Sequence, residues 1–253
     1  MKSKKEKFTE LLNSLNTELV NDEHKYIGTG NPYSDILIIG KETAFEKNSE
    51  QYKTEILGNF NFWLKEEVTN EKQLIYNEFN PRFPYKGQLL KKDNGKGNMG
   101  TSVTWMNYQK LINYIFDTPL NNNIDFHDKA FITEVNSTPS KKTINADSSS
   151  IIFRKENILN SDFFRSFKVV IISGVGYFNI NEEKNEIEDI FKVKFLNLKN
   201  ADNKSSQPYW IHRNKDNTIL INCYQLSIGI SDNLLKEIAT TIKNQNILDI
   251  KND

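Results

Sequence analysis

The chain has 253 residues, with 33 Lys and Arg balancing 33 Asp and Glu, three His, one Cys, 37% hydrophobic residues and a mean hydropathy of −0.62. A chain of this length hides roughly 70–75% of its unfolded surface, so one core fills without staples, and the single Cys223 excludes a disulfide framework, a four-Cys zinc site and an all-Cys iron–sulfur cluster. No apolar run approaches the ~20 residues of a membrane span, and the opening MKSKKEKFTELL lacks the apolar core of a secretion signal, so a cytoplasmic protein that touches no membrane is expected.

Phe8, Leu11, Leu12, Leu15 and Leu19 recur at the spacing of one helical face and predict an opening amphipathic helix. Residues 1–26 are read as a helical extension and 27–253 as one α/β domain. The run Ile36 to Ile39 is short and β-branched, bounded by Asn31-Pro32 and Gly40, and predicts a buried strand near Asp35 to Ile39. Next comes a basic stretch. Between Arg82 and Lys110 six cations (Arg82, Lys86, Lys91, Lys92, Lys96, Lys110) meet one acid, Asp93, among glycines and aromatics. Such a stretch suits a phosphate backbone, although a charge run is also an ordinary solvated face.

Trp105, Tyr108, Leu111, Ile112, Ile115 and Phe116 mark a second helical face. AFIT predicts a strand near Lys129 to Thr133, and VVIIS one near Lys168 to Ser173. From Asn181 to Ile190 five acids oppose Lys184, leading into a helix with Ile187, Ile190 and Phe191. TILIN predicts the strand Thr218 to Asn222, and Leu234, Leu235, Ile238 and Ile242 the last helix. Buried strands alternating with helices predict a three-layer α/β/α fold around a central four-stranded, mainly parallel sheet. Ligands of such sheets sit at the carboxyl ends of the strands. The segments to inspect are therefore Gly40 to Ala44, Thr133 to Pro139, Gly174 to Phe178 and Asn222 to Ser227.

The glycine pairs Gly28/Gly30 and Gly174/Gly176 are weak dinucleotide signals, because the first precedes its strand and the second lacks a third Gly. No GxxxxGK[ST] or HExxH occurs, and His24, His127 and His212 have no metal-ligand spacing. Carboxylates carry the strongest signal. Glu42 follows the first strand on a tight turn, and Glu134 directly follows the second. Negative charge beside a developing oxocarbenium ion stabilises it, whereas a lone Glu in such a place is also a common helix-start residue.

The ordered set IIGKETA, AFITEVNSTPS, VVIISGVG and NCYQLS resembles the four strand-end motifs of the uracil-DNA glycosylase superfamily, over roughly Asp35 to Ile242. The resemblance implies a catalytic acid at Glu42, a base-reading residue at Glu134 where an Asn is usual, and a stacking aromatic at Trp105 or Tyr108. In the final motif Asn222 replaces the usual His that bonds the leaving base, while Leu226 and Ser227 keep the Leu-Ser pair, with Leu226 filling the vacated stack. The iron–sulfur branches are excluded by the single Cys. An ionised Glu134 accepts hydrogen bonds only, which suits the N4 amine of cytosine and opposes uracil O4.

The expected function is a monomeric DNA glycosylase that excises a flipped, modified base of cytosine type from single- or double-stranded DNA, without cofactor or metal. Glu42 and Asn222 would be catalytic. Glu134, Trp105, Tyr108 and Leu226 would hold the base, and Lys86, Lys91, Lys92, Lys96, Lys141, Lys142, Arg154 and Ser227 the DNA backbone. The alternatives are a non-catalytic nucleic-acid or modified-base binder of the same fold, and a small-molecule α/β enzyme. In the first two readings Glu42, Glu134 and Asn222 share one cleft rimmed by positive charge.

Overall fold

A computed structural model of the chain describes residues 2–47, 49–65, 79–84, 89–90, 101–141, 146–201 and 207–248. Helix α1 (Lys4–Asn16) starts at Ser3, whose hydroxyl accepts the Glu6 N–H while Glu6 Oε2 accepts the Ser3 N–H at 2.6 Å. This reciprocal cap satisfies two donors that a helix start otherwise leaves open. The helix buries Phe8, Leu11, Leu12 and Leu15. The predicted stripe runs one turn further, and here the structure corrects it: Leu19 lies outside the helix and is fully exposed. The Thr17 N–H turns back to the carbonyls of Ser14 and Leu15 and closes the last turn.

Among the described residues seven strands form one sheet in the order β1-β3-β2-β4-β7-β6-β5. They are β1 (Thr29–Gly30), β2 (Ile36–Gly40), β3 (Ala130–Glu134), β4 (Val169–Ser173), β5 (Lys194–Asn200), β6 (Pro208–Arg213) and β7 (Ile219–Cys223). The four predicted strands are present within one residue of their expected ends and make the parallel centre, β3-β2-β4-β7. The expected four-stranded sheet is corrected to seven. A short β1 pairs antiparallel with β3, and an antiparallel β6-β5 hairpin extends the sheet beyond β7.

The centre is parallel because its strands can be buried on both faces. Ile36, Leu37, Ile38 and Ile39 are all 0% exposed, and fully burying each such side chain contributes about 1.5–3 kcal/mol. Alternate residues serve different apolar clusters. Leu37, Ile39, Phe131, Val170, Ile172 and Leu220 join Phe8, Leu15, Trp63, Phe163 and Phe167. Ile36, Ile38, Ala130, Ile132, Val169, Ile171, Ile219, Ile221 and Cys223 join Leu111, Ile115, Leu234 and Ile238 on the opposite face.

The first face carries α1, α3 (Asn59–Leu64), α6 (Ser149–Phe153) with the π-helical turn Arg154–Leu159, and α7 (Glu186–Phe191). Ahead of α3 lie α2 (Glu50–Tyr52) and a second π-helical turn, Lys53–Leu57. The second face carries α4 (Val103–Phe116) and α8 (Asp232–Lys243), while α5 (Phe126–Lys129) leads into β3. Serines cap α4 and α8: Ser102 Oγ accepts the Trp105 N–H and Ser231 Oγ the Leu234 N–H. Among the described residues no helix is long and apolar enough to cross a membrane.

Candidate active site

Numbered in chain order, the parallel strands run 2-1-3-4, so β2 is where the strand order reverses, with β3 on one side and β4 on the other. The crevice beyond the carboxyl ends at such a reversal is where open α/β sheets bind ligands. The chain after β2 is held there by backbone pairing. Gly40 O accepts the Val135 N–H at 2.9 Å, Lys41 O the Asn136 N–H at 2.8 Å and Thr43 O the Ser140 N–H at 2.9 Å. The turn that carries Glu42 is thus tied to the segment following Glu134.

Glu42 and Glu134 line the same cleft, a cavity of about 410 Å³. Gly40 is the reason they can share it. It stands opposite Glu134 in register, and a Cβ on Gly40 would lie 2.1 Å from Glu134 Oε2. Glu42 is only 8% exposed, and Tyr177, on the turn after β4, donates its hydroxyl to Glu42 Oε2. Burial and the Glu42 charge push the Tyr177 hydroxyl well above the ordinary tyrosine range, so it remains a donor. Glu134 Oε2 is sealed from solvent and has no hydrogen-bond partner. Burial first, then the Glu42 charge, push its carboxyl up to about 8, and Arg154 only partly offsets them.

Trp105 and Tyr108 stand one turn apart on the first half of α4 and form the aromatic wall of the cleft. Trp105 packs against the His127 and Phe126 rings at 4.4 and 5.0 Å. Tyr108 is buried, and its hydroxyl is pushed up by desolvation and by the Glu134 charge. Four of the expected site residues, Glu42, Glu134, Trp105 and Tyr108, are therefore together.

Others are elsewhere. Asn222 has the parity of Leu220 along β7, so it faces the opposite side of the sheet from Glu134 and lines a different cavity; the expectation that Glu42, Glu134 and Asn222 share one cleft is corrected to Glu42 and Glu134 alone. Leu226 is 0% exposed in the core, with its N–H donated to Ser173 Oγ at 2.8 Å, and is not placed to enter a base stack. Arg154 is 0% exposed. Its guanidinium donates to the carbonyls of Glu134 and Tyr26 and to Thr133 Oγ1, which removes it from the backbone-binding set. Lys141 is exposed and paired with Glu46. Ser227 is half-buried, and its carbonyl accepts from Asn107 Nδ2 at 3.2 Å. Lys86, Lys91, Lys92, Lys96 and Lys142 lie outside the described residues.

Sequence reasoning marked the segments that hold Tyr177 and Gln225 without singling out either residue, and missed Glu55. Gln225 brings the last motif into the cleft where Asn222 does not. Glu55 lies on the π-helical turn Lys53–Leu57, a distortion that recurs at functional sites, and burial pushes its carboxyl up to about 6. Only the π turn sets it apart from any surface Glu, and no local pattern announces one. Among the described residues the lining carries three carboxyls, Glu42, Glu55 and Glu134, against Lys41. The expected rim of positive charge is therefore corrected to a net acidic lining among the described residues, which favours a positive transition state and disfavours an anionic ligand at its floor. No group of three His, Cys, Asp or Glu suited to a metal occurs among the described residues. No protein-family model matches the chain, and no curated protein does.

Proposed function

We propose that the protein is a DNA glycosylase with a three-layer α/β/α core, hydrolysing the N-glycosidic bond of a base flipped into the cleft between Glu42, Glu134 and the Trp105–Tyr108 wall. The observation that carries this reading is the pair of carboxyls, Glu42 on the turn after β2 and Glu134 at the end of β3, that face aromatic rings in one cavity. Cleavage builds positive charge on the sugar. Glu42 stabilises that charge and positions the attacking water, and the Tyr177 hydroxyl fixes the carboxylate in place. The base stacks on the aromatic wall, and flipping is required because its bond to the sugar is inaccessible within the duplex. Gln225, an amide that lines the cleft from the last motif, takes the role expected of Asn222.

Glu134 reads the base edge, and its raised pKa changes what it reads. A neutral carboxyl presents both an O–H donor and a C=O acceptor, so near pH 7 it pairs with the edge of either a cytosine-type or a uracil-type base. Above about pH 8 it becomes an acceptor only, and the amine of a cytosine-type base is then favoured. The cytosine-to-uracil preference should therefore rise between pH 7 and 9, by roughly tenfold to a hundredfold for a mismatch worth ~1–3 kcal/mol. Glu134→Gln cannot ionise and should show a flat profile. A ratio that does not change with pH in the parent protein removes Glu134 as the reader.

The test of the reaction is release of abasic sites from a panel of oligonucleotides carrying cytosine, uracil and their modified forms. Tight binding with no abasic product supports the non-catalytic reading instead. Backbone binding is tested through Lys91, Lys92 and Lys96. Replacing all three by Ala should weaken duplex binding and lower the log-log salt slope by about 0.9 for each lysine that neutralises a phosphate. An unchanged slope shows that the basic stretch is only solvated.

A further inference from the structure

A second cavity, of about 450 Å³, opens on the other face of the sheet, under the segment that follows β4. Its floor is built by strand register. Trp210 stands opposite Asn222, and His212 opposite both Leu220 and Phe195. Trp210, His212 and Asn222 therefore project from the same face of neighbouring strands. Val175, Gly176, Phe178, Ile180 and Asn185 complete the walls.

Two features point to a ligand. The lining is apolar and aromatic, with Phe178, Phe195 and Trp210 and no Lys, Arg, Asp or Glu. Within it, His212 is 2% exposed and Asn222 is 4% exposed, yet His212 Nδ1 and Asn222 Oδ1 have no hydrogen-bond partner. Leaving one such atom unmet costs about 1–3 kcal/mol, and two in one apolar cavity are what a site for a small planar molecule requires.

We propose that this cavity binds an adenine-type base, free or as its nucleoside, independently of the reading of the first cleft. The chemistry selects the class. Asn222 Oδ1 needs a donor, and an exocyclic amine beside a ring nitrogen meets both ends of a carboxamide, as Asn does when it reads adenine. Trp210, Phe178 and Phe195 offer ring faces and edges to a flat heterocycle. Burial keeps the His212 imidazole neutral by pushing its pKa down, so it too presents an uncharged polar edge. The rim sets the limit on charge. Between the lining residues Ile180 and Asn185 the chain carries the exposed acids Glu182 and Glu183 and one cation, Lys184, whose charge is taken by Glu186 at 3.2 Å; Glu186 and Glu188 are also engaged by Lys155 and Lys194, which leaves the segment net acidic. A phosphate would meet negative charge there, which favours nucleoside over nucleotide.

The experiment titrates the full chain with adenosine, inosine and AMP by calorimetry. Adenosine should bind saturably. Inosine, which has a carbonyl in place of the amine, should bind roughly tenfold to a hundredfold more weakly, and AMP at least about tenfold more weakly because of the acidic rim. Asn222→Leu should lose adenosine binding. Because that residue lies within the sheet, Ile180→Trp provides a second variant at a position 52% exposed on the rim, where the larger ring fills the cavity mouth without disturbing the core. Glu42→Gln should bind adenosine as the parent does, since the cleft is on the other face. The proposal is overturned by any of five results: no saturable adenosine binding, equal affinity for inosine or AMP, binding retained in folded Asn222→Leu, binding retained in folded Ile180→Trp, or binding lost in Glu42→Gln.

Discussion

Glu42→Gln should slow base release on the order of 10²- to 10³-fold, corresponding to about 2.7–4 kcal/mol, the effect of removing one preorganised electrostatic group from a transition state. The change is nearly isosteric, so the geometry around it persists. Tyr177 still finds an oxygen to which it can donate, and the backbone ties from Gly40, Lys41 and Thr43 to the segment after β3 do not involve the side chain. What disappears is the negative charge beside the sugar. Because that charge matters most once the glycosidic bond has begun to break, the loss should fall on the single-turnover rate and leave DNA affinity within about threefold. The measurement is single-turnover abasic-site formation alongside equilibrium binding. Equal rates for the two proteins on a substrate that the parent cleaves would falsify the assignment of Glu42. Removing Glu42 also relieves the repulsion that helps raise the Glu134 carboxyl, so the pH at which base preference changes should move downward in the variant.

Arg154→Met should destabilise the fold by about 3–5 kcal/mol. The guanidinium is wholly buried. Its Nε and Nη2 donate to Glu134 O at 3.1 and 2.7 Å, Nη2 also donates to Thr133 Oγ1 at 2.9 Å, and Nη1 donates to Tyr26 O. Burial pushes its pKa down to about 10, which still leaves it charged at neutral pH. Methionine fills much of the volume but leaves two backbone carbonyls inside the protein without these donors, each worth about 1–3 kcal/mol. Against a total stability of about 5–15 kcal/mol, this is a large share. Tm should fall by roughly 6–20 °C at 2–4 °C per kcal/mol. Arg154→Lys should recover only part of the loss, because an ammonium is a point donor and cannot span Tyr26, Thr133 and Glu134 together. Chemical denaturation of the three proteins measures this directly, and a Met variant within about 1 kcal/mol of the parent, the lower bound for one unmet carbonyl, would show that the carbonyls find other partners. Any folded Arg154→Met protein should also titrate Glu134 above its present value of about 8, since the positive charge that now holds the carboxyl down is gone.

Glu42 and Arg154 differ sharply in how far their roles can be read along the chain. Glu42 and Glu134 were legible because they follow short β-branched runs. A strand buried on both faces needs apolar residues at every position, and this makes an unbroken run that ends sharply at the sheet's edge. The same reason made β2, β3, β4 and β7 readable to within a residue. The 3.6-residue period of α4, whose seven buried positions include Tyr108 and Leu111, placed Trp105 and Tyr108 on one helical face, and the resemblance to the glycosylase motifs made them site candidates.

Local pattern therefore specified the parallel centre, the helices α1, α4, α7 and α8 and the position of the two carboxyls, whereas α3 and α6, which also cover the first face, were not read from it. The flanking hairpin was not visible, because β5 (KFLNLKN) is exposed at every position and shows no alternation of buried and exposed residues to detect. Which face Asn222 and Glu134 occupy emerged only in three dimensions. In a strand one residue of register moves a side chain to the other side of the sheet, and the pairing Gly40↔Glu134 and Trp210↔Asn222 sends the two in opposite directions. Arg154 reads along the chain as one more cation available for phosphates. Only the convergence of Tyr26, Thr133 and Glu134 around it draws it inside, and that convergence involves carbonyls and a hydroxyl far from it in sequence. The protonation of Glu134 is a tertiary property for the same reason: the burial and the neighbouring Glu42 charge that raise its pKa exist only once β2 and β3 lie side by side.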